Sequence, residues 1–254
     1  MAKRSLKHAV SHRPHRTQQA RGKEYTLKAI IFDLDDTLYD NLNQVGKKAM
    51  HTADIAMAHF LKEDPEVIHN LRADLVQKGI RFFEQNPLIC HELGVNKQLI
   101  DKASEIANNH YYVFPKVKGI KLFPGVPALL KKLRKKHKLA LITFGVLEKQ
   151  QEKIKVLKVA PYFDFVAVDQ WSGIKATKAD SFLDVMEKLK LKAEEIAVVG
   201  DNPKNEIEVG NKLGMTTIRV LQGKFKDYAP KSDFERADFN VKKVTEVDGV
   251  VELL

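Results

Sequence analysis

The run Ile30-Ile31-Phe32-Asp33-Leu34-Asp35-Asp36-Thr37-Leu38-Tyr39 carries a short apolar strand straight into a cluster of three carboxylates. An apolar run of this length, bounded by polar residues, reads as a strand buried in a sheet. Carboxylates packed at its end repel one another unless a cation or a proton separates them, so acids placed there are functional or costly. Mg²⁺ suits the position: it takes oxygen ligands, binds through one or two carboxylates, and leaves room for water and a substrate phosphate. If extended geometry persists beyond Phe32, Asp33 and Asp35 point to one side while Leu34 points into the core. One carboxylate can then attack a substrate while the other moves a proton. The competing reading is a turn or helix cap, where Asp and Thr are both favoured.

The chain as a whole has room for such a site. Its 254 residues, 44% of them hydrophobic, can form one sizeable domain with an insertion or two small ones. No apolar stretch is long enough to span a bilayer, and the first residues lack the apolar segment of a secretory signal, so no membrane partner is expected. Cys90 is the only cysteine, which rules out an intrachain disulfide and a thiolate metal site and suits a reducing, cytoplasmic setting. The net charge of +10 is concentrated at the start, where Lys3, Arg4, Lys7, Arg13, Arg16, Arg21, Lys23 and Lys28 face only Glu24. Residues 1–27 read as a disordered basic arm. Such an arm can hold nucleic acid or an acidic surface electrostatically. With no Phe, Tyr or Trp between Met1 and Glu24 to stack on bases, an inert solubilising tail is the preferred reading.

Outward from the first strand, strands and helices alternate in the manner of a parallel sheet covered on both faces. Strands are expected at Leu139–Thr143, Phe165–Val168, Ile196–Val199 and Thr216–Val220, with helices over Val126–Lys136, Ser181–Leu189 and Asn205–Leu213. A short extra strand near Ala237–Val241 and a terminal helix through Leu253 follow. Ligands of parallel sheets bind beyond the carboxyl ends of the strands, which is where Asp33, Thr143 and Asp201 would converge.

Taken in order, Asp33-Leu34-Asp35-Asp36-Thr37, then Thr143, then Lys178, then Gly200-Asp201-Asn202-Pro203-Lys204-Asn205-Glu206 resembles the haloacid dehalogenase-like hydrolase superfamily over about residues 28–221. The resemblance implies a Rossmann-like α/β core, Mg²⁺-dependent phosphoryl transfer and a phosphoaspartate intermediate. An acid two places after the nucleophile looks like the phosphatase and phosphomutase branch rather than the dehalogenases. On this resemblance Asp33 is the nucleophile and Asp35 the general acid and base. Asp33, the backbone carbonyl of Asp35 and Asp201 hold the metal. Thr143 donates its hydroxyl to a phosphate oxygen, with the backbone of Phe144 and Gly145 assisting. Lys178 offsets the phosphate charge, with Lys175 as the competing candidate.

Two positions depart from the superfamily pattern. Phe144 stands where asparagine is common, which leaves only its backbone N–H as a donor. Glu206 stands where aspartate is usual, and its expected role is to orient a metal-bound water or the lysine rather than to bind the metal.

Residues 41–118 are too long for a loop and rich in helical spacing, as in Ala53, Ala56, Met57 and Phe60, or Val76, Ile80 and Phe83. They are expected to form an inserted helical cap of type 1 on a core built from residues 28–40 and 119–254. Arg72, Arg81, His110, Tyr111 and Tyr112 are cap residues that can face a substrate, and none is assigned to it. The expected activity is hydrolysis of a small phosphorylated metabolite. The alternatives are a phosphomutase of the same fold, or a non-catalytic protein engaging an acidic partner or nucleic acid through its arm.

Overall fold

The computed structural model describes residues 26–170 and 178–254, so residues 1–25 of the expected arm and Lys175 lie outside the described residues. Six strands form one sheet: β1 (Ala29–Phe32), β2 (Lys138–Gly145), β3 (Phe165–Gln170), β4 (Ile196–Gly200), β5 (Thr216–Val220) and β6 (Phe239–Val241). They run parallel in the order β3-β2-β1-β4-β5-β6. The carboxylate-bearing strand is therefore central. The chain winds outward from it in both directions, which opens a crevice at its carboxyl end.

Helices α1 (Lys47–Leu61), α2 (Pro65–Gln77), α3 (Phe82–Glu92) and α4 (Lys97–Asn108) lie between β1 and β2. Helices α5 (Val126–Leu133), α6 (Leu147–Leu157), α7 (Ala179–Leu189), α8 (Glu208–Leu213) and α9 (Val247–Val251) belong to the sheet layers. Successive strand residues point to opposite faces. Ile30, Phe32, Leu139, Leu141, Ala197 and Val199 pack on one side, against Leu129, Leu130 and Leu133 of α5, Ile154 and Leu157 of α6, and Val247 and Val251 of α9. Ala29, Ile31, Ala140, Ile142, Ile196 and Val198 pack on the other, against Phe182 and Val185 of α7 and Val209 and Leu213 of α8. Both faces are thus buried, which is why these strands are continuously apolar.

The four inserted helices have a separate hydrophobic cluster of Ala53, Met57, Ala58, Ile68, Phe82, Ile89, Cys90, Ile100, Ala103 and Ala107. Their ends are set locally. The Asp64 side chain accepts from the Glu66 N–H, with Pro65 in the first turn of α2, and Asn96 caps α4 through the Gln98 N–H. Arg72 is not at a substrate surface: it is buried in this cluster, 2.5 Å from Asp54, and donates to the Gln85 side chain at 3.1 Å.

Several boundaries differ from the sequence reading for identifiable reasons. Extended geometry stops at Phe32, and the chain turns as Leu38 N–H donates to Leu34 C=O at 3.0 Å, with Asp36 at φ 60°. β3 runs on to Gln170 because Asp169 and Gln170 pair with Phe144 and Gly145. α5 ends at Leu133, its last buried apolar residue, and α9 ends at Val251, leaving Leu253 75% exposed. The expected helix from Asn205 begins instead as a widened turn over Pro203–Ile207, which turns Glu206 back towards the strand tip.

Asp54→Ala strands the Arg72 guanidinium in an apolar cluster, and breaking a buried pair on one side costs about 3–5 kcal/mol. Urea unfolding of this variant should show a loss of that size. An unchanged midpoint would mean that Arg72 is hydrated and that the pair is not structural.

Candidate active site

Sheet register brings the expected residues together. Phe32 is level with Leu141 of β2 and Val199 of β4, and Asp33 N–H donates to Val199 C=O at 2.9 Å. Thr143 and Asp201 lie two residues beyond those partners, on strands that neighbour β1 at about 4.8 Å. Asp33, Thr143 and Asp201 consequently meet at adjacent strand ends, all buried.

Lys178, at the start of α7, ties these ends together. Its buried ammonium donates to Asp33 Oδ1, to the Ile142 carbonyl at 3.0 Å, and to Glu206 Oε1 at 2.5 Å. Thr37 Oγ1 donates to the other oxygen of Asp33 at 3.1 Å. Glu206 also accepts from Asn202 N–H at 3.1 Å, and a Cβ at Gly200 would stand 2.4 Å from its Cγ, so only glycine lets Glu206 approach. Phe144 and Gly145 line the same cavity as Thr143.

The cluster is short of positive charge. Burial raises Asp33 to about 7, opposed by Lys178 and reinforced by Glu206 and Asp35. Burial likewise raises Asp36 to about 6, with the Leu42 N–H pulling down and Asp35 pushing up. Asp201 lies well above the carboxylate range through burial and the charges of Asp36, Glu206 and Asp33. Burial disfavours the Lys178 ammonium, yet Asp33 and Glu206 together lift its pKa above that of an ordinary lysine. Lys224 is pushed down to about 8 by burial, against the pull of Asp201 and Asp36. Among the described residues no three or more His, Cys, Asp or Glu side chains form a ready-made metal cage. Asp33 and Asp201 with one main-chain carbonyl are a sparser set. They suit a hard cation that keeps waters of its own, and their mutual repulsion is what such a cation would relieve.

A second group of contacts was not legible in the sequence reading. Asp35 is held from α6: Lys153 Nζ lies 2.7 Å from Oδ2 and 3.0 Å from Oδ1, and Gln150 Nε2 lies 3.2 Å from Oδ2. Gln150 also donates to Thr143 Oγ1 at 2.5 Å, and Tyr39 OH donates to Asp35 Oδ1 at 2.7 Å. The available signal was helical phase. Gln150, Lys153, Ile154 and Leu157 share the buried face of α6, and two polar residues on a core-facing stripe ask for a partner.

Asp33, Asp35, Thr143, Lys153, Lys178 and Asp201 line one cavity of 440 Å³ between the strand tips and the inserted helices. Of the five cap candidates, Arg81, Tyr111 and Tyr112 line it, with Arg81 stacked on Phe83 and paired with Glu84. Tyr111 stacks on Phe82 at 3.8 Å. Arg72 lies in the helical core, and His110 packs edge-on to Phe114 outside the cavity. Lys204 and Lys224 complete the core side of the wall.

The architecture is thus a doubly wound parallel sheet with buried acids, a threonine and a lysine at the tips of its central strands and a helical unit inserted after β1. The family model for haloacid dehalogenase-like hydrolase matches residues 27–214, and the chain belongs to that family. It is 28% identical over 233 residues to a glyceraldehyde 3-phosphate phosphatase of Methanopyrus kandleri, spanning 90% of this chain and 98% of that protein. It is 25% identical over 202 residues to the N-acylneuraminate-9-phosphatase of Homo sapiens, spanning 74% of this chain and 80% of that one. Its fold matches a haloacid dehalogenase-like family hydrolase of Streptococcus pneumoniae with a TM-score of 0.61 at 22% identity, covering 89% of this chain and 98% of that one.

A raised carboxyl pKa in the folded state means that folding takes up protons, so the stability tied to Asp33 falls as pH climbs from about 4 to its folded value of about 7. Asp201→Asn removes one of the repelling charges and should raise the melting temperature of the metal-free protein at pH 8 by about 2–4 °C. Mg²⁺ should raise the melting temperature of the wild type and leave that of Asp201→Asn unchanged. A wild-type melting temperature that is flat with pH and blind to Mg²⁺ would contradict this electrostatic account.

Proposed function

We propose that the protein is a Mg²⁺-dependent phosphatase that hydrolyses a small phosphomonoester through a phosphoaspartate at Asp33. The observation that carries this reading is the placement of the Asp33 carboxylate at the floor of the cavity, with Lys178 on one oxygen and Thr143 and Asp201 on the flanking strands. A carboxylate attacking a phosphate dianion works against charge repulsion, and a buried ammonium beside it lowers that barrier. Asp33 attacks phosphorus while Asp35 protonates the departing oxygen. Asp35 then takes a proton from water as that water attacks the phosphoaspartate. Thr143 donates to a phosphate oxygen, and Glu206 keeps Lys178 in place. Mg²⁺, held by Asp33, the Asp35 carbonyl and Asp201, would add charge neutralisation at the phosphate.

The inserted helices act in this reading as a cap. Arg81, Tyr111 and Tyr112 roof a cavity whose 440 Å³ suits a compact metabolite rather than a macromolecule. A closed roof excludes the water that would compete for the transfer. The relatives named as phosphatases of glyceraldehyde 3-phosphate and of an N-acylneuraminate 9-phosphate point to a phosphorylated carbohydrate or a related small metabolite.

The test is phosphate release from an aryl phosphate and from a panel of phosphorylated sugars and sugar acids, with and without Mg²⁺. Wild type should turn over only with Mg²⁺, and Asp33→Asn should lose at least about 10³-fold in kcat. Equal inertness of wild type and variant across the panel would overturn the phosphatase reading.

A further inference from the structure

We propose that Lys153 is a positioning residue for the acid–base carboxylate: with Gln150 it clamps Asp35 from helix α6, so that the carboxylate stays aimed at the oxygen that gives or takes the proton. The inference rests on the phosphatase reading and on the acid–base role of Asp35 within it.

Among the described residues three donors reach Asp35, and they are not equivalent. Tyr39 OH lies 2.7 Å from Asp35 Oδ1 and also 2.7 Å from Asn41 Oδ1, and a hydroxyl has one proton to give. Gln150 divides its Nε2 between Asp35 Oδ2 at 3.2 Å and Thr143 Oγ1 at 2.5 Å. Lys153 alone spans both oxygens, at 2.7 Å and 3.0 Å, and it alone brings charge. Its hold fixes the rotation of the carboxylate about its last bond. Gln150 couples that orientation to the Thr143 hydroxyl, so one turn of α6 sets both the proton-transfer group and a phosphate donor.

The position argues that Lys153 serves the chemistry rather than the fold. It lies on the α6 face that carries Ile154 and Leu157 into the core, where an apolar side chain would fill the space without a desolvation penalty. Its partner is not cut off from solvent, because the Asp35 side chain is 25% exposed and open to water. A lysine there gives up stability for orientation.

In the second half of the reaction the water oxygen forms a bond to phosphorus and its proton passes to Asp35. The bond between phosphorus and the Asp33 oxygen breaks, its electron pair returns to the Asp33 carboxylate, and inorganic phosphate leaves. A freely rotating Asp35 slows this step most, since an aryl alcohol leaves phosphorus with little protonation in the first. Lys153→Met should therefore lower kcat by about 10- to 100-fold, with KM falling alongside it as the phosphoenzyme accumulates and kcat/KM staying within about twofold. It should also produce a burst of aryl alcohol equal to the enzyme, followed by slow turnover with phosphate retained on the protein. Its melting temperature should equal or exceed that of the wild type. Lys153→Arg, whose guanidinium can also span a carboxylate, should restore much of the rate.

Lys153→Met with unaltered kcat, or with a loss lying wholly in KM, would overturn the clamp and in the latter case make Lys153 a phosphate ligand. A fall in melting temperature that tracks the loss of rate, with no rescue by arginine, would make the pair structural and overturn it equally. The underlying reading fails separately, through a wild type without Mg²⁺-dependent turnover or an Asp35→Asn variant as fast as wild type.

Discussion

The ammonium of Lys178 is the interaction on which the rest of the site depends. It joins Asp33 at the end of β1, the Ile142 carbonyl of β2 and Glu206 beyond β4, so one side chain from α7 ties three adjacent strand ends together. Without that cation Asp33, Asp36, Asp201 and Glu206 would face one another across a buried space with little to offset them. The sheet supplies the opposing rigidity. Its strands are packed on both faces, and the close approach of Glu206 at Gly200 leaves no slack at the tip. The arrangement is costly in electrostatic terms, because like charges are buried close together at the strand tips.

The same economy extends to the periphery of the site. α6 gives up two core-facing positions to Gln150 and Lys153, and the inserted helices bury the Arg72–Asp54 pair under a roof that presents Arg81, Tyr111 and Tyr112 to the cavity. The buried acids and lysines of the cavity therefore stand on the sheet and its two adjoining helices, whereas the inserted unit supplies the opposite wall. That division fits a family whose relatives include phosphatases of quite different sugars.

The fold and the strand-tip residues were legible because they follow from short-range rules. Uniformly apolar strands alternating with helices predict a parallel sheet, and Asp33, Thr143 and Asp201 stand where such strands end. Lys178 was legible through the family resemblance, with Lys175 as its competitor, and the structure puts its ammonium on Asp33. The contacts of Gln150, Lys153 and Tyr39 with Asp35 were not, because they join residues 4 to 118 positions apart and depend on which face of α6 meets the sheet. Among the cap residues, Arg81 and Arg72 look alike in sequence, yet one lines the cavity and the other is buried with Asp54. The packing of α2 against both α1 and α3 separates them. The widened turn at Pro203–Ile207 was hidden for a similar reason: it is set by the reach of Glu206 back to the Asn202 N–H, a contact without a propensity signature.

The central claim is that Asp33 itself takes the phosphoryl group. Acid quenching during turnover of an aryl phosphate, followed by proteolysis and mass analysis, tests it directly. The account predicts a phosphate adduct on the peptide containing Asp33, converted to homoserine at that position by borohydride. Continued turnover with that peptide unmodified, or with the adduct on any other residue, would contradict it.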